Sequence, residues 1–154
     1  MGRGIGGAVA ATAVVALTFG AGFEAVLAQE PDRTGLPALV ELPPELDRVL
    51  RDYETAWSAR DADALAALFT EDGYALRPGR PPVHGHAALR EVYAGSGGPL
   101  VLRAYAWARD GSVAHVIGGF AAFESDPEVG KFVLALERGA DGVWYIAADI
   151  DNGN

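Results

Sequence analysis

A few side chains in this sequence have types and spacings that could do chemistry. His115 lies in "SVAHVIGG", where a two-residue period places it on one face with Val113 and Ile117. An imidazole in that apolar setting is a candidate general base if a carboxylate orients it, and Asp149 is the best-placed carboxylate. The plainer alternative is a core histidine with satisfied hydrogen bonds. Asp149 and Asp151 alternate on one face of the final strand, opposite Trp144, Ile146, Ala148 and Ile150. That face is either solvated or a site in which two carboxylates raise each other's pKa, as acid/base work requires. His84 and His86, in "PVHGHA", could place two imidazoles on one metal. No third ligand follows from the spacing, so neither a metal nor any other cofactor is expected.

Other chemistries lack their residues. The 154-residue chain has no Cys, which removes thiolate nucleophiles, disulfides and Cys-based zinc sites. There is no GxSxG elbow, and the glycines of "AGSGG" follow a helix and precede a strand, the reverse of a phosphate loop. A net charge of −9 without a basic patch argues against nucleic acid as a partner.

These residues must be positioned by the elements around them. Residues 1–28 have Arg3 near the start, an apolar run and a Val26-Leu27-Ala28 ending, the pattern of a secretory signal cleaved after Ala28. The expected localisation is therefore secreted or periplasmic, with no membrane contact after cleavage. Residues 29–41 are Pro-rich and polar and are expected to be a flexible spacer, which leaves 42–152 as the domain. Within the domain, Leu46, Val49, Leu50, Tyr53 and Trp57 make one apolar helical face behind Pro43 and Pro44. Asp61 can cap a second helix, so Ala59-Arg60-Asp61 reads as a corner. "TEDG" is expected to end that helix, with Gly73 at positive φ, before a short strand "YALRP". "GRPPVHG" reads as a loop and "HAALREVYAG" as a third helix.

From Leu100 the period becomes two, giving strands at about 100–109, 112–124, 129–138 and 142–151, with a bulge or bend expected at Gly118-Gly119. Helices followed by hairpins predict an α+β domain with helices on one face of a bent sheet. In the first long strand, Arg103, Tyr105, Trp107 and Arg109 would share a face, with Leu102, Ala104, Ala106 and Ala108 on the other. The larger side chains suit an oligomer interface better than a pocket wall.

The stretch "YETAWSARDADALAALFTEDGYALRPGRPPVHGHAALREVYA", with the ending "KFVLALERGADGVWYIAADIDN", resembles the nuclear-transport-factor-2-like superfamily. It is most similar to the SnoaL-like branch, which includes ketosteroid isomerases and polyketide cyclases. The resemblance implies a cone-shaped domain: a strongly curved, mainly antiparallel sheet wraps three N-terminal helices and leaves an apolar pocket open at one end. It also implies a homodimer through the outer face of the sheet. An isomerase-like site needs a donor tyrosine eight residues before the corner aspartate, and Tyr53 matches that position. The alternative for Tyr53 is a core residue with a satisfied hydroxyl. The base should be an aspartate just before a proline, but Arg77 precedes Pro78 and cannot accept a proton. The second, unionised donor should fall near Val133, where no Asp or Glu faces inward.

The expected function is a secreted domain that binds a small hydrophobic ligand in a pocket of Tyr53, Trp57, Phe69, Leu76 and Tyr93, with Arg77 at the strand end. The alternative is an isomerase, cyclase or hydratase of the same fold acting on a hydrophobic carbonyl compound, with His115, Asp149 and Tyr53 as catalytic residues.

Overall fold

Helix α1 (Pro44–Ala59) starts where Pro43 and Pro44 fix φ, and Glu45 and Asp47 complement its positive N-terminal end. Its buried stripe is Leu46, Val49, Leu50, Tyr53 and Ala56. The helix ends at Arg60, which takes the left-handed conformation at φ 56°. Asp61 Oδ1 then accepts a 2.9 Å hydrogen bond from the Ala64 amide and caps α2 (Ala62–Ala67). The corner therefore lies where the sequence placed it. These coordinates form a computed structural model that describes residues 35–154. The expected leader and the first part of the spacer lie outside the described residues.

Beyond α2 the boundaries differ from expectation. β1 (Phe69–Leu76) begins at Phe69, so "TEDG" is inside a strand rather than ending a helix. Gly73 has no positive φ; a Cβ there would lie 2.9 Å from the Ile146 carbonyl, so glycine serves close strand approach. A two-residue strand, β2 (Val83–His84), interrupts the expected loop, and α3 (His86–Tyr93) follows. The meander is β3 (Val101–Asp110), β4 (Val113–Ala121), β5 (Gly130–Arg138) and β6 (Trp144–Gly153). The six strands form one curved, unclosed sheet in the order β2-β1-β6-β5-β4-β3, antiparallel except for β1 against β6. The α+β class stands as read from the sequence. Leu46, Leu50, Leu65 and Leu89 from the helices pack with Val116, Leu134, Leu136 and Ile146 from the sheet in one core.

Two bulges decide which side chains enter that core. Opposite the Ala135–Leu136 step of β5, β6 advances from Ala148 to Ile146, leaving Ala147 as an extra residue. Trp144 and Ile146 face inward before the bulge, and Asp149 faces inward after it. The expected opposition between Asp149 and Trp144 is thus overturned. In β3, Tyr105 is the extra residue between Ala104 and Ala106. It lies across from the Gly118 region of β4, where the sequence had placed the irregularity on the other strand. The Arg103-Tyr105-Trp107-Arg109 face is therefore broken. Arg103 stays outside, whereas Trp107 packs on the core and Arg109 pairs with Glu45 of α1.

Polar contacts fix α1 against both sides of the sheet. Arg48 Nη2 donates to the Trp144 carbonyl at 2.7 Å. Across the sheet, Arg51 Nη2 donates to the Leu102 carbonyl at 2.8 Å, and Glu54 Oε1 accepts from the Leu102 amide at 2.6 Å. These bonds set the rotation of the helix that carries Tyr53. The last residues of the expected flexible spacer are held as well: Val40 N donates to Ala104 O at 2.9 Å, and Trp107 Nε1 donates to Glu41 O at 3.2 Å.

Candidate functional site

The inner face of the sheet and α1 enclose a cavity of about 90 Å³. Trp57, Leu100, Leu102, Phe120, Phe132 and Leu134 form its apolar wall, and Tyr53, Asp149 and Asp151 supply its polar atoms. Two of the rings lie flat over glycine. A Cβ on Gly118 would meet the Phe132 ring, and one on Gly130 would meet the Phe120 ring. Each pair is directly cross-strand, so glycine lets the ring lie along the sheet instead of filling the cavity.

Asp149 is the buried acid of this wall, 8% exposed. Tyr53 donates its hydroxyl to Asp149 Oδ2 at 3.2 Å. Burial is the main reason that the Asp149 carboxyl is pushed up to about 7, with repulsion from Asp151 adding to it; the Tyr53 hydrogen bond opposes both. Asp151 is also raised by burial, while its own backbone and the Arg77 charge hold it down. Burial and the Asp149 charge hold the Tyr53 proton on well above the usual phenol range. Tyr93 is raised for the same two reasons, and its hydroxyl couples to that of Tyr53. Near neutral pH the wall thus holds one carboxyl close to half-protonated beside a phenol that stays protonated. Such a pair can donate to an oxygen or exchange a proton with it.

The expected site residues separate into two groups. Tyr53, Trp57 and Asp149 meet at the cavity. Tyr93 lies behind them, its ring edge-on to Trp57 at 6.2 Å between centroids, and Phe69 is wholly core. Leu76 faces the other way: it pairs with exposed Ile150, while Ala75 turns inward beside Asp149. Arg77 is half-buried at the end of β1.

His115 is exposed on the outer face, aligned with Ala135 and Ala148, and β5 separates its strand from β6. The expected His115–Asp149 pair is therefore not formed. Val133 also faces outward, so the acid beside Tyr53 comes from β6 and not from the position near Val133. His84 lies tilted against the Tyr74 ring at 4.4 Å between centroids, and His86 Nε2 donates to the Phe69 carbonyl at 3.0 Å. Among the described residues no three potential metal ligands cluster. The sequence reading missed Phe120, Phe132 and Leu134, although their inward parity along β4 and β5 was available.

Residues 50–142 match the family model of the SnoaL-like domain. The chain belongs to the SnoaL-like domain family. Solved structures agree on the fold. A ketosteroid isomerase-like protein from Erwinia carotovora atroseptica is 22% identical over 70% of this chain and 92% of its own, with a TM-score of 0.58. A protein of unknown function from Mycobacterium tuberculosis is 22% identical, covering 71% of this chain and 70% of that one, with a TM-score of 0.62. A protein with a cystatin-like fold from Novosphingobium aromaticivorans is 17% identical over 70% of this chain and 78% of its own, with a TM-score of 0.56. No curated protein matches the sequence. In this SnoaL-like domain Tyr53 and Asp149 form a tyrosine–acid pair, and Arg77 stands before Pro78 just past the end of β1.

Proposed function

We propose that this SnoaL-like domain binds a small hydrophobic molecule with a carbonyl group, held by Tyr53 and Asp149 at the base of the apolar pocket. The observation that supports it is a buried carboxyl whose described partner is a phenol and not a cation. Burying an unpaired acid costs stability, and such groups concentrate at binding and catalytic sites. The 90 Å³ cavity suits a group of one small ring and is well below the volume that encloses a drug-sized ligand. Steroid isomerisation is accordingly expected to be absent, for lack of both room and a base at Arg77. The direct test is mass spectrometry of small molecules released from purified protein, wild type against Asp149→Leu. Recovery of the same compounds in equal amount from both would remove the pocket reading.

Proton transfer is the second reading, favoured by the unequal environments of Asp149 and Asp151. Asp151 as carboxylate would remove a proton from the carbon beside the carbonyl. The electron pair would move onto the oxygen, which Tyr53 and protonated Asp149 would hold until the carbon is reprotonated. Exchange of the α-protons of cyclohexanone in heavy water, followed by NMR, distinguishes the readings. Binding without exchange leaves a carrier.

The homodimer expected from the sequence is also proposed, through a different set of residues. Ile117, Val133 and Ile150 are in register across β4, β5 and β6 on the outer face and are 40%, 38% and 49% exposed. Sedimentation velocity of wild type and Val133→Lys tests it, with dissociation expected in the variant. Export with cleavage after Ala28 rests on the sequence alone, and the intact mass of protein from the medium or periplasm tests it. Among the described residues no helix is long and apolar enough to cross a membrane.

A further inference from the structure

Arg77 occupies an unusual position for a cation. Ala75 faces inward beside Asp149, and Leu76 pairs with Ile150 facing outward. Arg77 follows Leu76 as Asp151 follows Ile150, so continuing the parallel register would set the two side by side. The Arg77 Nε is buried, and no acceptor among the described residues meets it. The groups around it belong to the site: its charge acts on both Asp151 and the Tyr93 hydroxyl. The other half-buried arginines of the domain are occupied, although Arg51 Nε, 3.3 Å from Asp47 Oδ1, also makes no hydrogen bond. Arg48 and Arg51 tie α1 to the sheet, and Arg103 holds three carbonyls of the β4–β5 loop. Arg77 lines an open cleft with Arg80, Val83, His84 and Glu91, and its charge reaches Asp151, which lines the apolar cavity. An unmet guanidinium donor there matches a planar anion better than any neutral group.

We propose that Arg77 recognises the carboxylate of an elongated apolar acid whose hydrocarbon end enters the cavity beside Trp57. The inference rests on the pocket reading above and adds the ligand's charge to it. Asp151 is the competing partner for Arg77. Asp149 and Tyr93 are titratable groups of the neighbouring cavity, and Arg80, His84 and Glu91 line the open cleft with Arg77 itself. The anion therefore binds best when the aspartates carry least charge.

The test uses 3-phenylpropanoate and its isosteric amide, titrated at pH 6 and low salt while the amide and indole resonances of the protein are followed by NMR. The acid is expected to bind about tenfold tighter than the amide. Arg77→Met should abolish that preference while leaving the amide's affinity intact. Arg80→Met, which removes a neighbouring exposed cation, should keep it. Asp151→Asn should increase it; if Arg77 serves only as the counter-ion of Asp151, that variant shows no preference and the inference is overturned. Equal binding of both probes, with shifts at Tyr53 and Trp57, overturns the role of Arg77 but leaves the pocket. No shift at those residues with either probe overturns both.

Discussion

The carboxylates of Glu128 and Asp149 are covered in opposite ways. The Glu128 side chain is 3% exposed and lies 3.5 Å from Arg103 Nη1, which is itself 10% exposed. Arg103 also donates to the carbonyls of Phe123, Glu124 and Asp126 at 3.2, 2.6 and 3.2 Å. That charge is matched, and the result is a fixed loop between β4 and β5. Asp149 is about as deep, but among the described residues it has a tyrosine where Glu128 has a guanidinium. The same burial that anchors the loop at one place leaves a protonatable group at the other. Depth therefore does not separate scaffold from site; compensation does.

The largest effect should come from breaking the matched pair. Arg103→Met leaves Glu128 covered and without its cation and releases three carbonyls, so it is expected to cost about 3 kcal/mol in urea denaturation at pH 7. A loss below about 1 kcal/mol would show that the loop does not depend on the ion pair.

Asp149→Asn should act in the other direction. The folded carboxyl titrates at about 7, against an ordinary 3.8. Between those values the folded state keeps a proton that the unfolded chain has released. Wild-type stability should then fall as pH rises from about 4 to 7, by at most about 1.4 kcal/mol per unit, and level off above. The Asn variant should lose that slope and be about 2 kcal/mol more stable than wild type at pH 8. Denaturation at pH 5, 6, 7 and 8 checks both parts, and a flat wild-type profile would mean that Asp149 carries no burial cost.

Tyr53→Phe sharpens the contrast without removing the acid. Its hydroxyl favours the ionised carboxylate, so its loss should move Asp149 further up by roughly one unit. Carbon-detected NMR of the Asp149 carboxyl reads this directly. The smallest effect belongs to His115→Ala, an exposed outer-face change expected to alter stability by under about 0.5 kcal/mol. It should leave the Asp149 titration where it was; a shift in that titration would couple the two faces of the sheet.

Local rules carried the fold a long way. The Pro-Pro start, the Asp61 cap and the change of period at Leu100 are short-range signals, and all three elements lie where they point. The pocket was half legible. Tyr53 and Trp57 follow from helical spacing, and Asp149 was singled out by its chemistry. Its partner was misjudged because His115 was put inward with Val113 and Ile117, whereas Ala114 and Val116 are the buried side of β4. The opposition of Asp149 to Trp144 was misjudged because strand parity was extended through β6 without a break. Ala147 carries no glycine or proline to mark a bulge, and neither does Tyr105. Both bulges are set by pairing with neighbouring strands, which a one-dimensional pattern does not contain. The early start of β1 has the same origin, since Phe69 joins the sheet beside Ile146.

The bulge at Ala147 has a consequence for descent. Removing that one codon would make Ile146, Ala148 and Asp149 consecutive inward, outward and inward residues, so β6 would alternate strictly and Asp149 would stay in the pocket. The bulge thus absorbs a three-nucleotide insertion or deletion at this point of the strand without exchanging the acid-bearing face for the outer one. Chemistry in such a fold can be inherited through the phase of a strand as well as through the residues on it.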